Sequence, residues 1–90
     1  MLDPTELSRL KWRSRRSLLE NDLVLEVFYR RHEAELTPER VEGLKTLLDL
    51  PDNDLWDLVA GRQELEAGAA PAVREMLQWM RHCEIGRRAA

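Results

Sequence analysis

The sequence predicts an all-α protein, a compact single-domain bundle of five helices over residues 1–90. Apolar residues recur at steps of three and four through most of the chain, which is the period of an amphipathic helix. Capping residues followed by proline mark helix starts at two places. No stretch shows the polar and apolar alternation of a strand, and 90 residues suit one domain.

The first helix is predicted to begin after the cap residue Asp3 and to run over residues 4 to about 19. Pro4 suits the first helical position because it lacks an amide hydrogen, and Glu6 stands where the partner of a capping box belongs. The buried stripe of this helix is expected to consist of Leu7, Leu10, Ser14 and Leu18. Trp12 lies off that stripe, so it is predicted to be exposed.

The second helix is predicted to begin just after the first, inside a segment rich in charges of both signs. Asn21 and Asp22 can supply side-chain acceptors for the free amide groups of its first turn. Val24, Val27 and Phe28 fall on one face of this helix. That face is expected to turn toward the core.

The third helix is predicted to begin where Thr37 precedes Pro38, which repeats the pattern of a cap followed by proline. It is expected to end at Leu50-Pro51-Asp52, because proline cannot continue the hydrogen-bond ladder of a helix. Its spacing predicts a buried stripe made of Val41, Leu44, Leu47 and Leu48.

The fourth helix is predicted to be short, with Asp52, Asn53 or Asp54 as its cap. Gly61 is expected to end it, because glycine adopts the left-handed conformation that closes a helix. The residues that define this helix are Leu55, Trp56, Leu58 and Val59. Trp56 is expected in the core or at its boundary.

The fifth helix is predicted to begin near Pro71 and to end at Gly86 and the basic pair Arg87-Arg88. Its apolar residues share one side and are Val73, Met76, Leu77 and Met80. Trp79 is expected in the core or at its boundary, like the tryptophan of the fourth helix.

Composition excludes several classes of protein. The chain is 43% hydrophobic and 34% charged with a formal net charge of -3, which fits an ion-rich helical domain and not a disordered chain. No apolar run approaches the roughly 20 residues of a membrane span, and no signal-peptide core is present. The single cysteine, Cys83, cannot form an intramolecular disulfide. A protein without membrane insertion is therefore expected, either in the cytoplasm or delivered to an organelle by a segment not present in this sequence.

The sequence offers no constellation for catalysis or cofactor binding. His82 and Cys83 are neighbours in a helix and would point about 100° apart, and with His32 they match no common metal-ligand spacing. No serine stands in a glycine-flanked nucleophile turn, and no glycine-rich phosphate loop occurs. We therefore expect no catalytic residue, no metal and no tightly bound cofactor.

Residues 15–22 combine charges of both signs at the expected helix junction. If the helix continues to residue 20, Arg16 and Glu20 share one side, one turn beyond Trp12. One interpretation is an exposed ion pair worth ~0.5 kcal/mol or less, with Trp12 covering part of the core. The other is a surface that binds a partner protein. Spacing alone leaves both open.

A basic stripe over residues 9–16 favours a rival function, because such stripes attract nucleic-acid phosphates. The stripe consists of Arg9, Lys11, Arg13, Arg15 and Arg16. The sequence pI of about 5.4 and the adjacent carboxylates of Glu20 and Asp22 oppose this function. A small regulator that binds nucleic acid and an antitoxin-like interaction module remain the alternatives.

Three segments of the chain form a recognisable pattern. Trp12 is followed by Arg16-Ser17-Leu18-Leu19-Glu20 with Asp22, then by Leu47-Leu48, then by the acidic Asp52-Asn53-Asp54-Leu55-Trp56. The pattern and the five-helix order resemble the SdhE (YgfY) family of FAD assembly, or flavinylation, factors, known in mitochondria as succinate dehydrogenase assembly factor 2. The family's Arg-Gly-x-x-Glu motif corresponds to the segment that begins at Arg16.

The resemblance implies a chaperone for succinate dehydrogenase assembly that is not an enzyme. It would bind the flavoprotein subunit of succinate dehydrogenase, and of fumarate reductase as a second client, and promote covalent attachment of FAD there. The chain is expected to be a monomer when free, to bind no nucleic acid and not to insert into a membrane. The implied partner-binding residues are Trp12, Arg15, Arg16, Ser17, Leu19, Glu20 and Asp22, with Asp52 and Asp54 as a secondary set.

Ser17 departs from the family pattern, which has glycine at this position. Glycine permits close backbone approach, and the serine side chain adds bulk on the surface that would meet the flavoprotein. Serine suits a helix interior better than glycine, so folding is not expected to suffer. The substitution is expected to bear on partner affinity.

Overall fold

A computed structural model describes residues 3–13 and 19–89, and for residues 19, 20 and 85–89 it describes the backbone alone. Within these ranges no strand occurs, and the chain forms a 3-10 turn at Glu33–Glu35 and the helices α1 (Pro4–Arg13), α2 (Leu19–His32), α3 (Pro38–Leu48), α4 (Asp52–Val59) and α5 (Pro71–Ala89). The radius of gyration is 12.2 Å, against about 12 Å expected for a compact chain of this length. The predicted all-α fold of five helices is confirmed.

Two predicted helix starts are confirmed by their hydrogen bonds. The Oδ1 atom of Asp3 accepts a hydrogen bond from the backbone N–H of Thr5 at 3.3 Å, ahead of α1. The Oγ1 atom of Thr37 accepts one from the N–H of Arg40 at 3.2 Å, ahead of α3. Each bond satisfies an amide that the first turn of a helix otherwise leaves unpaired. Gly61 has a φ of 82°, as predicted for the residue that closes α4.

The predicted boundary between the first two helices is wrong. The structure describes α1 to Arg13, residues 14–18 lie outside the described ranges, and Leu19 is already the first residue of α2. Asn21 and Asp22 therefore lie inside α2 and do not cap it. Ser14 and Leu18 of the predicted stripe lie outside the described residues, whereas Leu10 is buried and Leu7 partly buried, as predicted.

Two further predicted boundaries are wrong. The N-cap of α4 is Pro51, and not Asp52, Asn53 or Asp54. The backbone of Pro51 is extended, and the next residue, Asp52, is already helical. The acidic side chains instead stand in the first turn, where negative charge favours the positive end of the helix dipole. At the other end of the chain, α5 continues through Gly86 to Ala89. One interior glycine costs a helix only about 1 kcal/mol, which is too little to end it.

The core lies mainly where α3 and α2 pack against α5. The four predicted stripe residues of α3 and the four of α5 are all buried, and so are Val24 and Phe28 of α2. The α2 helix also buries Leu25 and Tyr29, which its predicted face did not include. Trp56 and Trp79 pack partly buried against the core, as expected.

Gly43 brings α3 and α5 unusually close together. A Cβ atom built on Gly43 would lie 2.6 Å from both the carbonyl carbon and the carbonyl oxygen of Ala72, and 2.9 Å from the backbone nitrogen of Val73. These are backbone atoms and cannot move aside as a flexible side chain would. The start of α5 therefore rests directly on the α3 backbone.

None of the helices in the described part of the chain has both the length and the apolar character needed to cross a bilayer. The longest of them is α5, with 19 residues. Its exposed positions carry polar groups such as Arg74 and Gln78.

Candidate partner-binding site

A surface cleft of about 700 Å³ lies between α1 and α2, beside the junction that the sequence marked. Its walls combine apolar and charged side chains, among them Lys11, Trp12, Asp22, Leu25, Tyr29 and Glu33. We call this cleft the junction groove. Trp12 and Asp22, two of the predicted partner-binding residues, line it together.

Trp12 stands at the edge of the junction groove with 74% of its surface exposed. It is the penultimate residue of α1, and the buried residue of that helix is Leu10, two positions earlier. Residues two apart in a helix point to different sides, so burying Leu10 turns Trp12 outward. Exposed tryptophan is enriched where proteins bind one another, because it offers a large apolar face.

Tyr29 of α2 fastens α1 along the floor of the groove. Its hydroxyl donates a hydrogen bond to the backbone carbonyl of Leu10 at 3.4 Å. The ammonium of Lys11 lies 5.8 Å from the centre of the Tyr29 ring and forms an ion pair with Glu33 at 2.7 Å. These contacts fix where α1 places Trp12 relative to α2.

Arg13, the last residue of α1, forms an ion pair with Asp49, which caps the C-terminus of α3. Two members of the predicted basic stripe, Lys11 and Arg13, are thus held by carboxylates of the same chain. Such pairing reduces the positive potential that nucleic acid would need. The arrangement weighs against the nucleic-acid alternative.

The start of α2 is tied to the start of α4 by Asn21. This side chain is fully buried, and its Nδ2 atom donates a hydrogen bond to the backbone carbonyl of Asp52 at 2.9 Å. Its Oδ1 atom accepts no hydrogen bond from the described part of the chain. A buried acceptor without a partner costs about 1–3 kcal/mol. Asn21 thus joins the region of Asp22 to the region of Asp52 at an energetic cost.

The predicted partner-binding residues are not equally visible. Asp22 is half-buried on α2, Asp52 is half-buried at the start of α4, and Asp54 is exposed two positions further along the first turn. Arg15, Arg16 and Ser17 lie outside the described residues. Leu19 and Glu20 belong to the first turn of α2, with only their backbone described. The predicted pairing of Arg16 with Glu20 stays a prediction.

A separate aromatic cluster lies where α2 meets α3 and α5. The rings of His32 and Trp79 stack with their centres 4.3 Å apart at an angle of 26°. The guanidinium of Arg40 lies 4.7 Å from the centre of the Trp79 ring and pairs with Glu75 at 2.9 Å. His32 also approaches Glu35 at 3.2 Å. These contacts give His32 and Trp79 a packing role.

Cys83 is fully buried in α5. Burial raises the pKa of the Cys83 thiol above its ordinary value, and the nearby Arg31 guanidinium partly opposes that rise in pKa. A thiol held in its protonated form is a poor nucleophile and a poor metal ligand. Among the described residues, no group of three or more His, Cys, Asp and Glu side chains is placed to hold a metal ion.

Sequence reasoning missed Asn21 and Tyr29 as parts of the site. The sequence pattern predicts a cap at Asn21, because asparagine beside a helix junction is typical of that role. Its acceptor on Asp52 lies 31 residues away, and no local pattern points to it. Tyr29 follows Phe28 directly, and its polar hydroxyl was the one signal that it needed a buried partner.

A small helical fold with an exposed tryptophan beside a groove of mixed polarity is typical of a binding or assembly module. The chain belongs to the family described as the flavinator of succinate dehydrogenase, whose model matches residues 8–82. The match spans both sides of the junction groove and the first turn of α4.

Curated relatives agree with this membership. The chain is 48% identical over 80 residues to the FAD assembly factor SdhE of Ralstonia nicotianae, covering 88% of this chain and 84% of the relative. It is 32% identical over 78 residues to the protein of the same name from Coxiella burnetii, covering 87% and 95%. A third such relative, from Legionella pneumophila, is 32% identical over 83 residues, covering 92% and 100%. No solved structure matches the chain significantly. The resemblance inferred from the sequence is confirmed.

Proposed function

We propose that this protein is an assembly factor that binds the flavoprotein subunit of succinate dehydrogenase and promotes covalent attachment of FAD to that subunit. The observation that carries the proposal is the family match over residues 8–82, which contains the entire junction groove. Relatives that share 32% to 48% of their aligned residues with this chain are named FAD assembly factors.

The proposed mode of action is positioning and not chemistry on this chain. An assembly factor can accelerate a reaction on its partner by favouring the conformation in which the reacting groups are aligned. Binding energy at the junction groove would shift the flavoprotein toward that conformation. The factor itself would then need no catalytic residue, no metal and no tightly bound cofactor.

The proposed contact surface contains the residues implied by the resemblance. Trp12 and Asp22 share one groove, which supports their assignment to one surface. The proposed set on this side is Trp12, Arg15, Arg16, Ser17, Leu19, Glu20 and Asp22. Asp52 and Asp54 form the proposed secondary set, because the Asn21 hydrogen bond connects their helix to the start of α2.

Fumarate reductase is proposed as a second client, and the free protein as a cytoplasmic monomer that acts as one helical domain over residues 1–90. Ser17, in place of the family's glycine, is proposed to tune affinity for the flavoprotein.

The test is a deletion strain in which covalent flavin on the flavoprotein subunit is read by in-gel fluorescence. Deletion should reduce the signal, and the wild-type chain should restore it. Arg16→Ala should fail to restore it, because a charge-assisted contact is lost. The matched control is Arg62→Ala. Arg62 is an exposed arginine just beyond the end of α4, and it pairs locally with Asp57 of that helix. Unchanged flavin fluorescence in the deletion strain would refute the proposed function.

A further inference from the structure

The carboxamide of Asn21 is buried at the start of α2. Asn21 lies in α2 between Glu20 and Asp22, and it is fully buried while Asp22 reaches the junction groove. It cannot touch a partner protein itself. Any influence on binding must therefore act through the residues around it.

The Asn21 hydrogen bond has a specific geometry. The Nδ2 atom reaches the backbone carbonyl of Asp52, the first residue of α4, at 2.9 Å. A backbone acceptor fixes the position of the helix start whatever side chain residue 52 carries. The N-cap residue of α4 is Pro51, which makes no side-chain capping hydrogen bond. The Asn21 bond is thus a directional contact between the first turns of α2 and α4.

Packing alone would not supply this alignment. Apolar contacts are non-directional, and a leucine at position 21 would fill a similar volume without leaving a buried acceptor unmatched. The present side chain instead keeps one unsatisfied oxygen, Oδ1, in the described structure. What it adds over leucine is one directed bond to α4.

We propose that Asn21 is a positioning residue that holds the acidic first turn of α4 in register with the α2 edge of the junction groove. The inference rests on the proposed function. With the bond in place, the acidic first turn of α4, which carries the exposed Asp54, keeps a fixed position relative to the start of α2, which carries Asp22. Two acidic groups held in this way suit a segment of the flavoprotein that carries cationic side chains.

The test is a double-mutant cycle between Asn21→Leu and Asp54→Ala, with affinity measured for the purified flavoprotein subunit that lacks covalent FAD. We expect Asn21→Leu to weaken binding by about tenfold and Asp54→Ala by about threefold. The double variant should lose about tenfold and not thirtyfold, because Asp54 is already displaced when the bond is absent.

Stability separates positioning from a role in folding. Asn21→Leu should keep the melting temperature and helical content at or above the wild-type level, since it removes an unmatched buried acceptor. The control is Val41→Ala, which should lower the melting temperature without changing the affinity of the folded protein, because Val41 is buried in α3 away from the groove. If Asn21→Leu does not fold, Asn21→Ser, which is smaller and cannot reach Asp52, replaces it in the cycle.

Three results would overturn the inference: wild-type affinity of the Asn21 variant, losses that simply multiply in the double variant, or wild-type affinity of Asp54→Ala. Failure of both Asn21 variants to fold would also overturn it, by making Asn21 a folding residue. If the wild-type chain itself does not bind the flavoprotein, the proposed function fails first. The two failures are therefore distinguishable.

Discussion

The contact between α3 and α5 is made by close apolar packing, whereas the contact between α2 and α4 includes a buried hydrogen bond. At the first, Gly43 lets two helices touch backbone to backbone, and apolar side chains fill the space around them. At the second, a fully buried amide makes one directed bond and leaves one acceptor unmatched. The first contact favours stability, whereas the second favours a defined geometry beside the junction groove.

This difference implies that stability and binding can be changed separately. Tight apolar packing contributes most of the free energy of folding but little directional information. Buried polar contacts add direction at the expense of stability. Substitutions at the α3–α5 contact should therefore act on unfolding, and substitutions around the groove should act on partner affinity.

The largest expected effect is on stability, at Gly43. Gly43→Ala should lower the free energy of unfolding by about 1–3 kcal/mol, because the new Cβ would overlap the backbone of Ala72. The higher helix propensity of alanine, worth up to about 1 kcal/mol, offsets only part of this loss. Urea titration followed by circular dichroism measures the change.

The matched control for Gly43→Ala is Gly68→Ala. A Cβ at Gly68 meets no atom within 4 Å, and the residue lies in the loop before α5. Alanine there should leave stability unchanged or raise it slightly, since it restricts the unfolded chain. Equal effects of the two substitutions would show that the α3–α5 approach is looser than the structure indicates.

The next effect is on binding, and it compares two tryptophans. Trp12→Ala should weaken flavoprotein binding by about tenfold, or about 1.4 kcal/mol, because an exposed aromatic at the groove would be buried by the partner. Its effect on the free energy of unfolding should be about 0.5 kcal/mol or less. Titration calorimetry measures the first quantity and urea titration the second.

Trp79→Ala serves as the counterpart of Trp12→Ala. Trp79 packs against His32 and Arg40 and is not among the described residues that line the junction groove, so its loss should lower stability. The folded fraction should bind the flavoprotein with unchanged affinity. If both alanine variants lost affinity to the same degree, the division between a stabilising and a binding region would not hold.

The sequence was sufficient to predict features that depend on neighbouring residues. Thr37 and Pro38 predict the start of α3, because a cap and the first helical residue act within one turn. The exposure of Trp12 follows from its place relative to Leu10, since helical periodicity alone decides it. The five helices and the buried stripes of α3 and α5 could be predicted for the same reason, because they too depend on residues close together in the sequence.

Features that depend on distant residues were not predictable in the same way. Asn21 resembles a cap until α4 is packed beside it, because a cap and a tertiary hydrogen bond use the same carboxamide. The helix α5 passes through Gly86, and nothing in the local pattern distinguishes an interior glycine from a terminating one. The role of Tyr29 needed the position of the Leu10 carbonyl, 19 residues earlier.

The smallest expected effect is the pH dependence that Cys83, which is buried in α5, adds to the free energy of unfolding. Burial raises the pKa of its thiol above the ordinary value of 9.0. Well below that pH the thiol is protonated in both the folded and the unfolded chain, so Cys83 adds no pH dependence to the free energy of unfolding. As the pH rises above 9.0, the unfolded chain loses its thiol proton first, and stability should fall until the folded thiol also ionises.

Urea titrations at about pH 8 and about pH 10 can isolate this contribution by comparing the wild-type chain with Cys83→Ala. The alanine variant leaves a small cavity and should be less stable at both pH values, but its loss between them should be smaller than that of the wild type. Trp12→Ala, which leaves Cys83 in place, should show the full wild-type loss. Equal pH dependence in all three chains would mean that the thiol ionises as readily in the folded state as in the unfolded one. The buried face of α5 would then admit water, and the contrast between a dry α3–α5 core and a polar α2–α4 contact would be weaker than the packing implies.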